Sequence, residues 1–386
     1  MLPSSFHLSD NPFSTAPRPP LIWADRAKFK ADIESALRFT MSTTPSRIIA
    51  CIYGEYGAGK THAMKYFSNP ETLRGISEPY LDRLGGTPLV IPVVYPTGDV
   101  VKSLYLSMLK EMGIARIKTA VEQIIDPSEM VPFIGAPSEK LKEIVADEYL
   151  ARVLSKVSDD KMPVERFLYA KITSKEQTML GVPRPIETYE ERVDTISGIM
   201  RLLTNTIAPR LIFWIDDVER ISEGSGKDMY EFQHFIRDIL DKVPEKLVIV
   251  MNFTFSPAEE VGERLAFLGE AVHRRISRIL EIADFTKDSF LDYVSELIVA
   301  ARSEDAPSDL DKYHPFDESS LIYTFETWTR RGLLTPRDVN LHLSTILEMA
   351  MNQFDELENN RVTRGFVESI SKDVFVRRGG REREFL

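Results

Sequence analysis

The residues best suited to chemistry are Gly54-Glu55-Tyr56-Gly57-Ala58-Gly59-Lys60-Thr61, which fit the pattern G-x-x-x-x-G-K-[ST]. Glycines let backbone N–H groups close around phosphate oxygens, and a helix starting at the end of the loop adds its positive dipole end. Lys60 supplies a point charge for the outer phosphates, and the Thr61 hydroxyl suits Mg²⁺. From average residue usage, the four fixed positions coincide by chance on the order of once in a hundred chains of this length. Gly54 to Thr61, together with His62, which follows in the same turn, are the candidate nucleotide-contacting residues.

A second constellation is Leu211-Ile212-Phe213-Trp214-Ile215-Asp216-Asp217, an apolar strand ending in two acids. Open α/β sheets bind ligands at the C-terminal edge of their strands, where these carboxylates fall. Asp216 is the candidate metal ligand beside Thr61. Asp217 is the candidate base that polarises an attacking water. Glu219 is a further carboxylate close by.

Strands and helices must position these groups. Strand-like runs are read at Arg47 to Tyr53, Pro88 to Tyr95, Leu211 to Ile215, Lys246 to Phe253 and Arg278 to Ile282. Helical segments separate them, including Trp23 to Phe39, His62 to Phe67 and Val100 to Met112, and a turn is read at Thr43 to Ser46. The alternation predicts a parallel five-stranded, Rossmann-like α/β sheet with helices on both faces. More chain lies between Tyr95 and Leu211 than one crossover needs, so a helical insertion is expected at about 113–190. Beyond Thr286 the pattern is helical, with Phe290, Leu291, Val294, Leu297 and Ile298 on one face.

The expected organisation is a proline-rich extended arm at 1–22, an α/β nucleotide-binding domain at 23–285, a small helical lid domain at 286–372 and a flexible tail at 373–386. The chain has 386 residues, 43% of them hydrophobic and 28% charged, which are ordinary soluble-globular values. No apolar run is long enough to span a bilayer, so no membrane association is expected. A net charge of -11 argues against a surface that binds nucleic acid everywhere, so any DNA contact must be local. The N-terminus reads as neither basic nor apolar leader, and the single cysteine, Cys51, fits a reducing cytoplasm.

With both motifs in hand, the chain resembles AAA+ ATPases of the origin-recognition-initiator and TnsC-type clade, over roughly Trp23 to Lys372. The resemblance implies ATP and Mg²⁺ as cofactors, and a small helical lid after the sheet. Trp23-Ala24-Asp25-Arg26 resembles the family's box II, which makes Arg26 an adenine-side candidate. Asn252, with Thr254 as its competitor, stands where the family has sensor 1. In His273-Arg274-Arg275-Ile276, Arg275 aligns with the arginine finger and implies self-association. Arg337, in Thr335-Pro336-Arg337-Asp338, matches sensor 2 at the start of a lid helix.

The family's second acid is usually Glu, so Asp217 is one methylene short and slow, partner- or DNA-stimulated turnover is expected. Initiators of this clade carry a winged-helix domain after the lid, which does not fit the 14 residues after Lys372. TnsC-type ATPases lack that domain; they form ATP-dependent assemblies on DNA and communicate with a recombinase. That analogy implies an oligomeric switch in transposition, replication or genome defence, a DNA-processing partner, and Lys102 and Ser103 as DNA-side residues. The alternative is a signalling or scaffolding NTPase of the STAND or KAP type, whose second acid is followed by an Arg as Asp217 is by Arg220; it would bind a protein and not DNA.

Overall fold

The computed structural model describes residues 3–14, 22–42, 48–125, 139–158, 161–243, 245–255, 261–332 and 335–374. The turn expected at Thr43 to Ser46, the prolines between 15 and 21 and the tail beyond 374 lie outside the described residues. The chain divides into two compact units. One comprises 31–54 and 63–281; the other comprises 1–30, 55–62 and 282–386.

The first unit is built on a parallel sheet of five strands, β1 (Ile48–Gly54), β2 (Leu89–Val94), β3 (Leu211–Asp216), β4 (Leu247–Thr254) and β5 (Ile276–Glu281). Their order in the sheet is β2-β3-β4-β1-β5. β3 is buried at every position, as its unbroken apolar run requires of a strand covered on both faces. Phe213, Ile215, Ile249 and Met251 join the larger core, formed with the helices Val100–Met112, Tyr189–Thr204 and Gly226–Lys242. Trp214, on the opposite face, stacks on Phe67 at 6.2 Å between ring centroids, so the helix Lys60–Phe67 covers that side.

β5 differs from the others. Among the described residues it pairs only with β1, and its residues are half-buried to exposed, with Ser277 and Arg278 interrupting the apolar pattern as befits an edge strand. Cys51 is buried in β1, and burial pushes its thiol up to about 12, which makes it unreactive at neutral pH.

Among the described residues between the helix Val100–Met112 and the helix Tyr189–Thr204 run five short helices, Ile114–Glu122, Glu139–Val145, Glu148–Leu154, Lys161–Leu168 and Ser174–Leu180. Their apolar residues Ile117, Leu141, Leu150 and Val164 merge with the core of the sheet, so these helices thicken the unit.

The second unit has its own core, formed around Phe290, Trp328, Leu343 and Val367 from the helices Lys287–Ala300, Glu318–Thr329, Pro336–Asn352 and Arg364–Val374. Phe6, Leu8 and Phe13 are buried in it as well. The described part of the segment read as an extended arm is therefore folded against the lid helices. Its backbone is tied down by Ser9 N–H to the Ala301 carbonyl at 2.9 Å and Ser303 N–H to the His7 carbonyl at 3.0 Å. Two buried phenylalanines and a leucine give apolar burial of about 1.5–3 kcal/mol each, which offsets the entropy of ordering a short segment.

Candidate functional site

The loop that leaves β1 after Gly54 turns on left-handed residues, with φ 84° at Gly57 and 105° at Gly59. A Cβ on Gly59 would meet nothing within 4 Å, so the space beside this residue is open. Ala58 N–H donates to the Glu55 carbonyl at 3.1 Å and closes the loop. Lys60 opens the following helix, is 6% exposed, and its Nζ donates to the Glu55 carbonyl at 2.9 Å. A buried ammonium is thus held at the loop by a backbone oxygen, beside amides oriented by a helix N-terminus.

The lid helix starts on this loop. Thr335 caps it by accepting from Asp338 N–H, Pro336 occupies the first turn, and Arg337 N–H donates to the Gly57 carbonyl at 3.4 Å. A Cβ on Gly57 would lie 2.8 Å from Arg337 Cβ and 2.9 Å from Thr335 Oγ1, so only glycine fits there. The Arg337 guanidinium lies over the Tyr56 ring, 4.8 Å from its centroid, and donates to the Tyr56 hydroxyl.

Arg26 reaches the same loop. It follows Asp25 in two successive left-handed residues, φ 50° and 57°, each costing of order 1–3 kcal/mol. Its Nη1 donates to the Ala58 carbonyl at 3.2 Å, and its guanidinium lies 4.7 Å from the Phe285 ring centroid. Nε and Nη2 are buried with no hydrogen-bond partner among the described residues, and burial holds the guanidinium below its ordinary pKa. Two orphan donors beside a phosphate-type loop suit a polar ligand edge. His62 Nε2 sits 2.9 Å from the Ile22 carbonyl, and its ring is 6.1 Å from that of Trp23.

In the sheet unit, Asp216 is 2% exposed at the C-terminal end of β3. Asn252 on β4 donates from Nδ2 to Asp216 Oδ1 at 2.8 Å, and Trp214 Nε1 donates to Asn252 Oδ1 at 3.0 Å. Indole N–H only donates, so it fixes which way the amide faces and leaves the NH₂ group for the carboxylate. The register aligns Ile52 of β1 with Asn252, and Gly54 with Thr254, so β1, β3 and β4 present their functional ends at one sheet edge.

Asp217 is the first residue beyond β3, with φ 57°, a left-handed conformation that Asp tolerates. The strand does not continue through it, and Glu219 falls in the 3₁₀ turn Val218–Glu223. Arg220 pairs with Asp217 at 3.4 Å.

Arg275 is held by Asp241 of the helix Gly226–Lys242 at 2.9 Å, with Nη1 buried and unpartnered among the described residues. Lys102 is exposed on the first turn of the helix after β2, beside Ser103, and its backbone N–H is capped by Asp99.

The sequence-predicted residues therefore gather in two sets. Tyr56, Gly57, Ala58, Arg26 and Arg337 meet in one unit, while Asp216 and Asn252 meet in the other. Trp214 was overlooked as the residue that orients Asn252. Its signal was an indole two positions before the first acid, on the same face of the strand as Asp216. Thr335, besides capping the helix, joins Arg337 in making Gly57 obligatory.

Three solved structures from Aeropyrum pernix are similar to this chain. The ORC2 protein in its ADPNP-ADP complexes matches with TM-score 0.56 and 12% identity, over 97% of this chain and 74% of its own. The ADP form of ORC2 matches with TM-score 0.55 and 11% identity, over 95% and 73%. The ORC1 protein in complex with DNA matches with TM-score 0.47 and 15% identity over 92% of this chain, which spans 66% of that protein's length. At these identities the likeness is one of fold. No protein-family model matches the sequence, and no curated protein matches it.

Proposed function

We propose that this chain, which has the AAA+ fold, binds ATP with Mg²⁺ and hydrolyses it as an oligomeric, nucleotide-dependent switch in a DNA transaction. The observation that carries this reading is the lid helix seated on left-handed Gly57, which brings Arg337 over a phosphate-type loop whose lysine is buried. The two ORC2 structures similar in fold are nucleotide complexes, ADPNP-ADP and ADP, which agrees with a nucleotide site.

In this reading the amides of the Gly57 to Thr61 turn hold the phosphates, with Lys60 reaching their outer oxygens. The orphan donors of Arg26 bind the nucleotide's base side. Thr61 and Asp216 would each offer a hard oxygen to Mg²⁺, which would offset charge on the outer phosphates. Asn252, oriented by Trp214, fixes the Asp216 carboxylate. Asp217, more exposed and just beyond the strand, takes the proton from the attacking water. Arg275, released from Asp241, would act on a neighbouring subunit's nucleotide.

A second reading, a signalling or scaffolding ATPase that binds a protein and not DNA, is favoured by the Asp217–Arg220 pair. ATPase rates with and without duplex DNA, against a Lys60→Ala baseline, decide between them. The first reading expects stimulation by duplex that fades as salt rises, because phosphate contacts release counterions. A rate indifferent to DNA at every salt concentration rejects it in favour of the second. No helix among the described residues is long and apolar enough to cross a membrane.

A further inference from the structure

An arginine in the first turn of a helix is poorly placed with respect to the helix dipole and draws on other partners for its charge. Arg337 finds two on Tyr56, the face of the ring and the hydroxyl oxygen. Tyr56 is 69% exposed and belongs to neither hydrophobic core, so packing does not account for an aromatic residue at this point of the loop. The base of the Arg337 side chain is meanwhile pinned. Its N–H is on the Gly57 carbonyl, and its Cβ lies against the position a Gly57 Cβ would take. Only the torsions beyond Cβ remain free, and they swing the guanidinium over one small region above the loop.

A terminal phosphate held by that loop would be the stronger partner, since it offers charge-assisted, bidentate hydrogen bonds where Tyr56 offers a neutral oxygen and a ring face. We propose that Tyr56 competes with the terminal phosphate for Arg337 and so sets how strongly the site discriminates a nucleoside triphosphate from a diphosphate. This rests on the nucleotide reading above. A diphosphate, lacking the outermost group, leaves Arg337 on the tyrosine. A triphosphate must displace that contact, and part of its advantage is spent in doing so.

The test is calorimetric titration of the full chain with ADP and with ADPNP, each with Mg²⁺. Tyr56→Ala raises the ratio Kd(ADP)/Kd(ADPNP) about two- to fivefold, the worth of an exposed cation–π contact, by tightening the triphosphate alone. Tyr56→Phe, which keeps the ring face and loses the hydroxyl, raises it less. On an Arg337→Ala background the Tyr56 substitutions leave the ratio unchanged. The proposal is overturned if Tyr56→Ala leaves the ratio unchanged or lowers it, or if the rise persists without Arg337. A wild-type chain that binds neither nucleotide overturns the nucleotide reading itself. Binding of both, with Tyr56 silent, overturns only the competition. Because Tyr56 is exposed and in neither core, its variants retain the fold, which circular dichroism checks alongside.

Discussion

Replacing Asp217 by asparagine lowers the ATP turnover number by about 10²-fold or more while ATP affinity stays near the wild-type value, because a positioned general base contributes about 10²–10⁴. The expectation follows from a division of labour between two adjacent acids. Asp216 is buried and committed to Asn252, which suits a fixed acceptor and not a proton-transfer group. Asp217 lies just past the strand, turned by a left-handed backbone, with a side chain 35% exposed to solvent. Its partner Arg220 is also partly exposed, so that ion pair contributes little to stability. Loss of turnover from the variant therefore reports chemistry and not unfolding. Single-turnover assays beside equilibrium binding separate the two, and unchanged turnover would remove Asp217 from the mechanism.

The second large effect concerns Arg275. If it serves a neighbouring subunit, Arg275→Ala costs about 10³-fold or more in rate, the scale of a trans-acting arginine. Its present partner makes the test decisive. As a structural ion pair with Asp241, either partner's removal would weaken folding alike and leave turnover per folded molecule unchanged. As a finger, the arginine alone is needed for turnover, so Asp241→Ala retains activity while Arg275→Ala loses it. Wild-type specific activity then rises with protein concentration, and that of Arg275→Ala stays flat. Equal behaviour of the two variants would reject the finger.

Much of this was legible in the sequence because it depends on local rules. Unbroken apolar runs such as Leu211 to Ile215 announce strands covered on both faces, and all five strands fall at runs marked in the sequence, with ends shifted by one or two residues, although the run of β5 is interrupted by Ser277 and Arg278 as an edge strand's can be. Thr335-Pro336 announces a helix start, and Arg337 follows from it. What was not legible depends on contacts far apart in the chain. That Phe6, Leu8 and Phe13 pack with Phe316 and Phe354 is decided some 300 residues away, and proline density nearby reads as an arm. Asp217's left-handed turn has no pattern beyond its being Asp. The partners of Asn252 and Tyr56 require strand register and lid seating, which spacing alone does not encode.

In the proposed function a triphosphate with Mg²⁺ settles on the turn from Gly57 to Thr61 under the charge of Lys60. Isothermal calorimetry of wild type and Lys60→Ala with Mg²⁺ and ATP tests it most directly. Saturable heat is expected for the wild type, and none for a variant that retains its fold by circular dichroism. Wild-type heat that is absent, or that survives the loss of the lysine unchanged, would contradict it.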